Sequence, residues 1–234
     1  MRKLQCALRS MWVAITCVSI LVKLLTTQLY RSTDYDVHRD WLLLTHRLPW
    51  SHWYSVEMTQ WTLDYPPFFA WFEYSLTQLA RVIFGNHFES AFDSFSFESI
   101  LFMKLSVILS ELVLILAALY YLSAVDKDKR ASLVSHSKSS RTILCLCLIL
   151  FNPALFIVDH IHFQYNGFLL GIFLLSIAAI RNGNDLAAAL LFAILLNFKH
   201  IFMYVAPAFF CYLLGNYCWK QKLTRVSKTS KLTA

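Results

Sequence analysis

The sequence predicts an all-α, polytopic membrane protein with about six transmembrane helices and a large loop after the first of them. Of its 234 residues, 58% are hydrophobic and only 15% are charged, whereas soluble domains carry roughly 25% charged residues. Several apolar runs, separated by short polar turns, approach or reach the length that crosses a bilayer as a helix. Because a bilayer offers backbone groups no water to bond, these runs are expected to be helices.

The first transmembrane helix is expected within residues 1–30. Three basic residues precede the apolar run Met11–Leu29, which is interrupted by Lys23. The basic flank favours a cytosolic N-terminus, and the lack of a small-residue cleavage site favours a retained helix over a signal peptide. Lys23 lies near the far end of the run, so its amine is expected to extend to the membrane interface.

Residues 31–99 are predicted to form a large loop that lies on the opposite side of the membrane. This segment holds four arginines against nine acidic residues, a net charge of −5, and five of the seven tryptophans. Tryptophan is enriched at headgroup level. Within the loop, Phe68–Phe84 has a helical stripe of Glu73, Thr77 and Arg81 among apolar residues, which is typical of an interfacial helix. A membrane crossing is the alternative.

Residues 100–214 are predicted to form the transmembrane bundle. Its first span, Ile100–Ala124, carries Lys104 and Glu111 seven positions apart, on one helical face. A charge within a span costs about 2.5–3.5 kcal/mol on insertion scales, so both should face inward and pair, directly or through a third group. The later spans are Thr142–Val158, broken at Asn152-Pro153, then Gly167–Ile180, Leu186–Leu196 and Ile201–Leu214. Residues 215–234 form a basic cytosolic tail.

The charge distribution supports this topology. Six spans place residues 1–10, 125–141, 181–185 and 215–234 on the cytosolic side, where they hold 14 of the 21 basic residues. The opposite side then collects the candidate polar site residues. These are Asp34, Asp36, Asp64, Asp159, His160, His162, Gln164, Asn166, Lys199 and His200.

Asp64 is the candidate catalytic residue that the sequence singles out. It precedes Tyr65 and the rigid pair Pro66-Pro67, which favour an extended chain followed by a helix start. A carboxylate fixed beside an apolar, aromatic segment is suited to act as a general base. The alternative is that Asp64 only caps the following helix.

Other polar motifs have two interpretations each. His160 and His162 alternate like metal ligands, but share a face only in a strand, so ordinary hydrogen bonding is favoured and no metal site is predicted. The run Ser32–Asp36 has the pattern of a helix start and could equally be functional. Lys199-His200 could bind phosphate or mark the interface.

Four segments resemble a known family. They are Ser32–Leu42 (STDYDVHRDWL), Asp64–Tyr74 (DYPPFFAWFEY), Asp159–Leu169 (DHIHFQYNGFL) and Asn197–Ala208 (NFKHIFMYVAPA). The sequence resembles the endoplasmic-reticulum α-1,3-glucosyltransferases that use dolichyl-phosphate glucose. The resemblance extends from about Tyr30 to Leu214, and among the family's activities it is strongest for the addition of the second glucose.

The resemblance implies a partial GT-C-type fold with its site on the lumenal side. It implies that Asp64 is the general base and that a second set of residues binds substrate. That set is Asp34, Asp36, Tyr65, His160, His162, Gln164, Asn166, Lys199 and His200. The implied partners are dolichyl-phosphate glucose, a dolichyl-pyrophosphate oligosaccharide and the bilayer, with no cofactor, metal or nucleic acid.

The expected activity is inverting transfer of glucose to the monoglucosylated dolichyl-pyrophosphate high-mannose oligosaccharide, during asparagine-linked glycosylation in the endoplasmic reticulum membrane. The chain resembles the N-terminal half of such enzymes, and we expect it to insert without transferring glucose by itself. The alternatives are a first-glucose transferase of the same family, a non-catalytic scaffold and a transporter module, which broken helices and intramembrane charges would also fit.

The topology is directly testable with reporter tags. Tags after residue 10, at Ser135 and at the C-terminus should report the cytosol, and a tag near Asn86 should report the lumen, because of the charge distribution. Glycosylation and protease-protection reporters would measure this. A cytosolic signal at Asn86 would mean that Phe68–Phe84 crosses the membrane.

Overall fold

The computed structural model describes residues 2–27, 30–56, 59–127 and 137–219, which form helices joined by turns and short extended segments. Within these ranges there is no strand, which confirms the predicted all-α class. The α-helices are α1 (Arg2–Leu25), α2 (Thr33–Arg47), α3 (Pro67–Phe84), α4 (Phe88–Asp93), α5 (Phe97–Ser110), α6 (Leu112–Lys127), α7 (Ser137–Leu150), α8 (Pro153–Phe156), α9 (Asn166–Arg181), α10 (Asp185–Leu196) and α11 (Ala206–Leu213). The shorter pieces are 3₁₀-helices at Trp50–His52, Gly85–His87 and His200–Tyr204, and π-helical turns at Ile157–Ile161 and Leu214–Trp219.

Two helical stretches of the described chain are long and apolar enough to cross a membrane, Phe97–Leu122 and Ile143–Ile161. The first joins α5 and α6 with one turn between them at Glu111, where the hydrogen-bond ladder continues from the Glu111 amide to the Val107 carbonyl. Three further apolar helices are shorter, Ser10–Leu25, Asn166–Arg181 and Asp185–Leu196. The count of six spans therefore stays a prediction.

The second long stretch is interrupted where the sequence predicts it. Helix α7 ends at Leu150, and the Asn152 side chain accepts a hydrogen bond of 3.1 Å from the Leu155 amide at the start of α8. Because Pro153 lacks an amide proton, the chain restarts as a new helix there. The π-helical turn that follows carries Asp159 and His160 toward the protein interior, where both are buried.

Helices α6 and α9 pack at close range through a glycine. A Cβ atom at Gly171 would lie 2.6 Å from the Leu114 amide nitrogen and 2.8 Å from the Val113 carbonyl carbon. Backbone atoms cannot move aside as a flexible side chain can, so only glycine allows this separation. Close approach through small residues is a common way for helices to associate in membranes.

Helix α3 turns Glu73 and Thr77 of its polar stripe inward, whereas Arg81 of the same stripe is exposed. Its place at the membrane interface stays a prediction. Glu73 and Thr77 are completely buried against α2, whereas Val82 is 84% exposed. The Thr77 hydroxyl donates to the Leu42 carbonyl, and Glu73 Oε1 shares a hydrogen bond of 2.6 Å with His38 Nδ1. Helix α2 thus provides partners for Glu73 Oε1 and Thr77, whereas the buried Glu73 Oε2 has no hydrogen-bond partner among the described residues. The outward face carries Leu79, Val82 and Ile83 beside the exposed Arg81.

A buried cluster of charges joins α1, the α5–α6 helix and the π-helical turn. Lys23 Nζ lies 2.6 Å from both Glu111 carboxylate oxygens, and His160 Nε2 lies 2.9 Å from Oε2. Lys104 Nζ donates to the His160 carbonyl at 2.8 Å. Lys104 and Glu111 are thus linked through His160, as one of the two predicted arrangements requires. Lys23, however, is buried in an ion pair instead of extending to the interface, because the buried Glu111 carboxylate lies within reach of its amine.

Loss of Lys23 should destabilise the protein strongly. In Lys23→Met the Glu111 carboxylate would stay buried without its cation, and breaking such a pair typically costs about 3–5 kcal/mol. Thermal unfolding in detergent should show a large decrease in Tm, while Val13→Met, at an exposed position of the same helix, should show little change. The double variant Lys23→Met/Glu111→Met should recover much of the loss. Equal melting of all variants would contradict a structural role for the pair.

Candidate functional site

Asp64 lies on the surface in an extended segment immediately before α3. The N-cap position of α3 is occupied by Pro66, and the Phe68 amide donates to the Asn197 carbonyl at 3.0 Å. The capping alternative for Asp64 is therefore disfavoured. The same hydrogen bond joins the Asp64 turn to the segment that carries Lys199.

Tyr65 packs among other aromatic rings beside Asp64. Its ring packs at 4.8 Å from Phe69 and 5.1 Å from Trp41, measured between centroids, and Lys199 Nζ lies 5.1 Å from its centroid. Burial raises the pKa of Tyr65 to about 12, and the negative charges of Asp64 and Asp34 add to this increase. The phenol is therefore neutral at physiological pH and can act as a hydrogen-bond donor.

Lys199 faces several carboxylates and is held by two amides. Its Nζ donates to Gln164 Oε1 at 3.2 Å and to Asn166 Oδ1 at 3.1 Å. Burial lowers the pKa of Lys199, and the carboxylates of Asp159, Asp34 and Asp64 oppose that decrease, in this order of size. The two amides accept from the ammonium group and the carboxylates carry negative charge, so the cation is fixed in place without a direct ion pair among the described residues.

Asp34, near the start of α2, is attached to the turn before α9. Gln164 Nε2 donates to Asp34 Oδ2 at 2.6 Å, and His162 Nδ1 lies 3.5 Å from the same oxygen. Ser32 occupies the N-cap position of α2, which confirms the predicted helix start, but its hydroxyl donates to the His162 carbonyl instead of capping the helix. These contacts join the loop segment to the turn.

Asp159 organises the N-terminus of α9. Its carboxylate accepts hydrogen bonds from the Asn166 amide at 3.0 Å, from Asn166 Nδ2 at 2.9 Å and from the Gly167 amide at 2.5 Å. A Cβ at Gly167 would lie 2.8 Å from Glu111 Cγ, so glycine is needed for this approach. The first amides of α9, which have no partner within the helix, are thereby satisfied by a side chain from another element.

The turn between these groups contains an unusual backbone conformation. Phe163 has φ of +68° although it is not glycine, and its ring is completely buried. The ring lies 5.1 Å from Tyr35 and 5.5 Å from His38, between centroids, and Lys104 Nζ lies 5.6 Å from its centroid. This packing holds a strained conformation in place, and such strain is often found at functional sites.

Together these residues form one polar face, defined here as Asp34, Asp64, Asp159, Gln164, Asn166 and Lys199. Among the other candidates, His162 is exposed beside Asp34, Asp36 is half-buried on α2 and His200 is exposed after Lys199. His160 differs, because its ring is buried against Glu111 and only 2% of the residue is exposed. The structure therefore places His160 in the charge cluster rather than on the polar face.

Groups of three or more metal-ligating side chains do not occur among the described residues. The carboxylates of Asp34 and Asp159 on the polar face instead accept hydrogen bonds from amide groups. This arrangement suits the binding of polar organic groups. Two features have no clear sequence signal: the Glu73–His38 pair below Tyr65, and the left-handed conformation of Phe163. The first joins residues 35 positions apart, and the second depends on tertiary packing.

Comparison with known proteins decides the family. The profile described as the ALG6, ALG8 glycosyltransferase family matches residues 19–234. This chain belongs to that family. Such a match confirms the predicted family and agrees with a membrane-associated, all-α fold.

Individual relatives have the same activity in their names. The chain is 44% identical over 209 residues to an Arabidopsis thaliana dolichyl pyrophosphate Glc1Man9GlcNAc2 alpha-1,3-glucosyltransferase, covering 88% of this chain and 39% of that protein. Proteins of the same name from Mus musculus and Dictyostelium discoideum are 44% and 39% identical, over 85% and 94% of this chain and 38% and 41% of their own lengths. The chain therefore spans about two fifths of the curated relatives it matches.

Asp159→Asn should loosen the start of α9. An asparagine side chain can accept at only one of the two oxygen positions, so part of the three-donor arrangement is lost, and an unsatisfied buried group costs about 1–3 kcal/mol. Hydrogen exchange at the amides of Asn166 and Gly167 should accelerate by about ten- to hundredfold. Asp185→Asn, at the start of α10, is the matched control. Unchanged exchange in Asp159→Asn would show that the carboxylate does not hold the turn.

Proposed function

We propose that this chain carries the catalytic base and a phosphate-binding region of a membrane glucosyltransferase. The activity is inverting, α-1,3 transfer of glucose from dolichyl-phosphate glucose to a monoglucosylated dolichyl-pyrophosphate oligosaccharide. The proposal places the site on the lumenal face of the endoplasmic reticulum membrane, in a multi-pass, GT-C-type fold with about six spans in this segment. The names of the curated relatives, which specify Glc1Man9GlcNAc2, favour the second glucose over the first.

The observation that carries the proposal is the approach of a free carboxylate and a fixed cation on one face. Asp64 is exposed next to Tyr65, whose ring centroid lies 5.1 Å from Lys199 Nζ, and Lys199 is held in turn by Gln164 and Asn166. Glycosyl transfer from a lipid phosphate needs these two functions: a base for the acceptor hydroxyl and positive charge where the phosphate leaves.

The proposed step uses both groups in one displacement. Asp64 accepts the proton of the acceptor sugar hydroxyl while that oxygen bonds to the anomeric carbon of the donor glucose. The bond from the anomeric carbon to the phosphate oxygen breaks, and its electron pair stays on the dolichyl phosphate. Lys199 stabilises the charge that develops there, since a fixed cation requires no reorganisation during the reaction. Attack opposite to the leaving group inverts the anomeric centre.

The remaining candidates are assigned to substrate binding. Asp34 and Gln164 hold each other across the polar face and can orient sugar hydroxyls, with Tyr65 as a neutral donor beside them. His162 and His200 are exposed at the two edges and are proposed to contact phosphate or sugar. Asp36 is proposed to act from α2. No specific observation favours a transporter or scaffold function.

Asp64→Asn tests the proposal in a protein of full family length. The vehicle is a chimera in which residues 19–219 of this chain replace the matching segment of the Mus musculus relative. Loss of a general base typically lowers the rate by 10²–10⁴-fold, so the variant should accumulate monoglucosylated lipid in cells that lack the endogenous enzyme. Microsomes with labelled dolichyl-phosphate glucose measure the transfer.

The matched control is Glu98→Gln, at an exposed acid in the first turn of α5, which should retain transfer. Membrane insertion and Tm should be equal in both variants. Normal diglucosylated product from the Asp64→Asn chimera would exclude Asp64 as the base. The 234-residue chain assayed alone should insert without transfer, as the sequence leads us to expect.

A further inference from the structure

A cavity lies between residues 45 and 81, and none of the polar-face residues lines it. It has a volume of about 310 Å³ and is bounded by the end of α2, the 3₁₀-helix Trp50–His52 and the middle of α3. Its walls include Gln78, whereas Asp64 precedes the first turn of α3. Eleven residues separate Pro67 from Gln78, which is about 16 Å along a helix. Trp71, at the near end of the cavity, is only about 6 Å along the helix from Pro67, so it is the end at Gln78 and Arg81 that lies several sugar rings from the proposed base.

Aromatic side chains form one wall of this cavity. Trp50 is 70% exposed, whereas Trp53 is buried and donates from Nε1 to the Leu48 carbonyl at 3.1 Å. Trp71 lies 5.1 Å from Trp53 and 5.6 Å from Tyr74, between ring centroids. The contacts among these three rings hold them in place without a ligand, and the ring of Trp50 is accessible to a ligand at the edge of the cavity.

Polar side chains continue the wall along α3, because Gln78 and Arg81 follow Trp71 and Tyr74 on one face of that helix. Arg81 Nη1 donates to Gln78 Oε1 at 3.2 Å, one turn apart on α3, and both side chains line the cavity. This contact leaves further guanidinium donors and the amide NH₂ of Gln78 for a ligand. A pyranose ring has a face of C–H bonds that packs on the negative face of an aromatic ring, and a rim of hydroxyls that pairs with such donors and acceptors.

The charges around the cavity favour a neutral ligand over an anionic one. Arg47, which also lines it, is paired with Asp93 at 2.9 Å and with Glu89 at 3.3 Å. His46 Nε2 lies 3.1 Å from the second oxygen of Glu89. These acids offset the basic groups, so Arg81 is left without a carboxylate partner in the part of the chain described. A phosphate site would be expected to keep several cations open.

We infer that this cavity binds a hexose unit of an oligosaccharide. Its volume corresponds to about ten water molecules at about 30 Å³ each. This number of water-sized units is comparable to the number of non-hydrogen atoms in a single hexose. The identity of the oligosaccharide rests on the proposed function: a branch of the acceptor glycan, bound at a distance from the reacting hydroxyl. Such a contact would supply binding energy and orientation from a non-reacting part of the substrate.

Binding is tested with the 234-residue chain in nanodiscs of zwitterionic lipid. The probe is free Glc1Man9GlcNAc2 oligosaccharide without lipid, followed by saturation-transfer NMR and titration. Trp50→Ala and Arg81→Ala should each weaken binding by about three- to tenfold, since each removes one stacking or hydrogen-bonding contact. Trp50→Phe should retain most of the affinity. Phe97→Ala, at an exposed aromatic outside the cavity, is the matched control.

The outcomes separate this inference from the proposed function. If Trp50→Ala and Arg81→Ala bind the oligosaccharide as the unchanged chain does, the inference is wrong, whether or not the chimera requires Asp64. If the two variants lose binding to anionic vesicles but not to the oligosaccharide, the cavity is a lipid headgroup site and the inference is also wrong. In a third outcome, Trp50→Ala and Arg81→Ala weaken sugar binding but the chimera transfers no glucose. That result would support sugar binding in the cavity and overturn the proposed activity.

Discussion

The buried carboxylate of Glu111 is the constraint on which the site depends. It takes Lys23 from the first helix and His160 from the π-helical turn, and the His160 carbonyl in turn accepts from Lys104. Asp159 is the neighbour of His160, so the same cluster fixes the residue that organises the start of α9. A buried carboxylate is tolerated only with charged or hydrogen-bonding partners at close range. The partners of Glu111 therefore determine where α1, the α5–α6 helix and the π-helical turn meet.

Much of this arrangement is predictable from the sequence because single residues carry strong local signals. Proline after asparagine at position 152 predicts the break between α7 and α8, and Pro66-Pro67 predicts the start of α3. Lys104 and Glu111 within an apolar run require a polar partner, and the structure supplies it in His160. The proline inferences rest on the missing amide proton. The inference for Lys104 and Glu111 rests on the cost of placing a charge in a bilayer.

The remainder depends on contacts that no local pattern encodes. Lys23 pairs with a residue 88 positions away, so snorkelling and burial are equally consistent with its neighbours in sequence. The polar stripe that includes Glu73 and Thr77 is typical of a helix that faces water, but α2 pairs His38 with Glu73 Oε1 and a backbone carbonyl with Thr77, and both residues are buried. Which way an amphipathic helix turns is decided by the neighbour that offers the better partners.

The apolar outer face of α3 has a geometric consequence for the reaction. Val82 and Ile83 project outward from this helix, so in a bilayer they would be covered by acyl chains or headgroup-level carbon. Asp64 is joined to the same helix through two stiff prolines, and it would then be held at a constant depth, close to the layer where lipid phosphates lie. The lipid-linked substrates proposed above would need only to diffuse sideways within that layer, so their encounter with the proposed site would be a search in two dimensions instead of three.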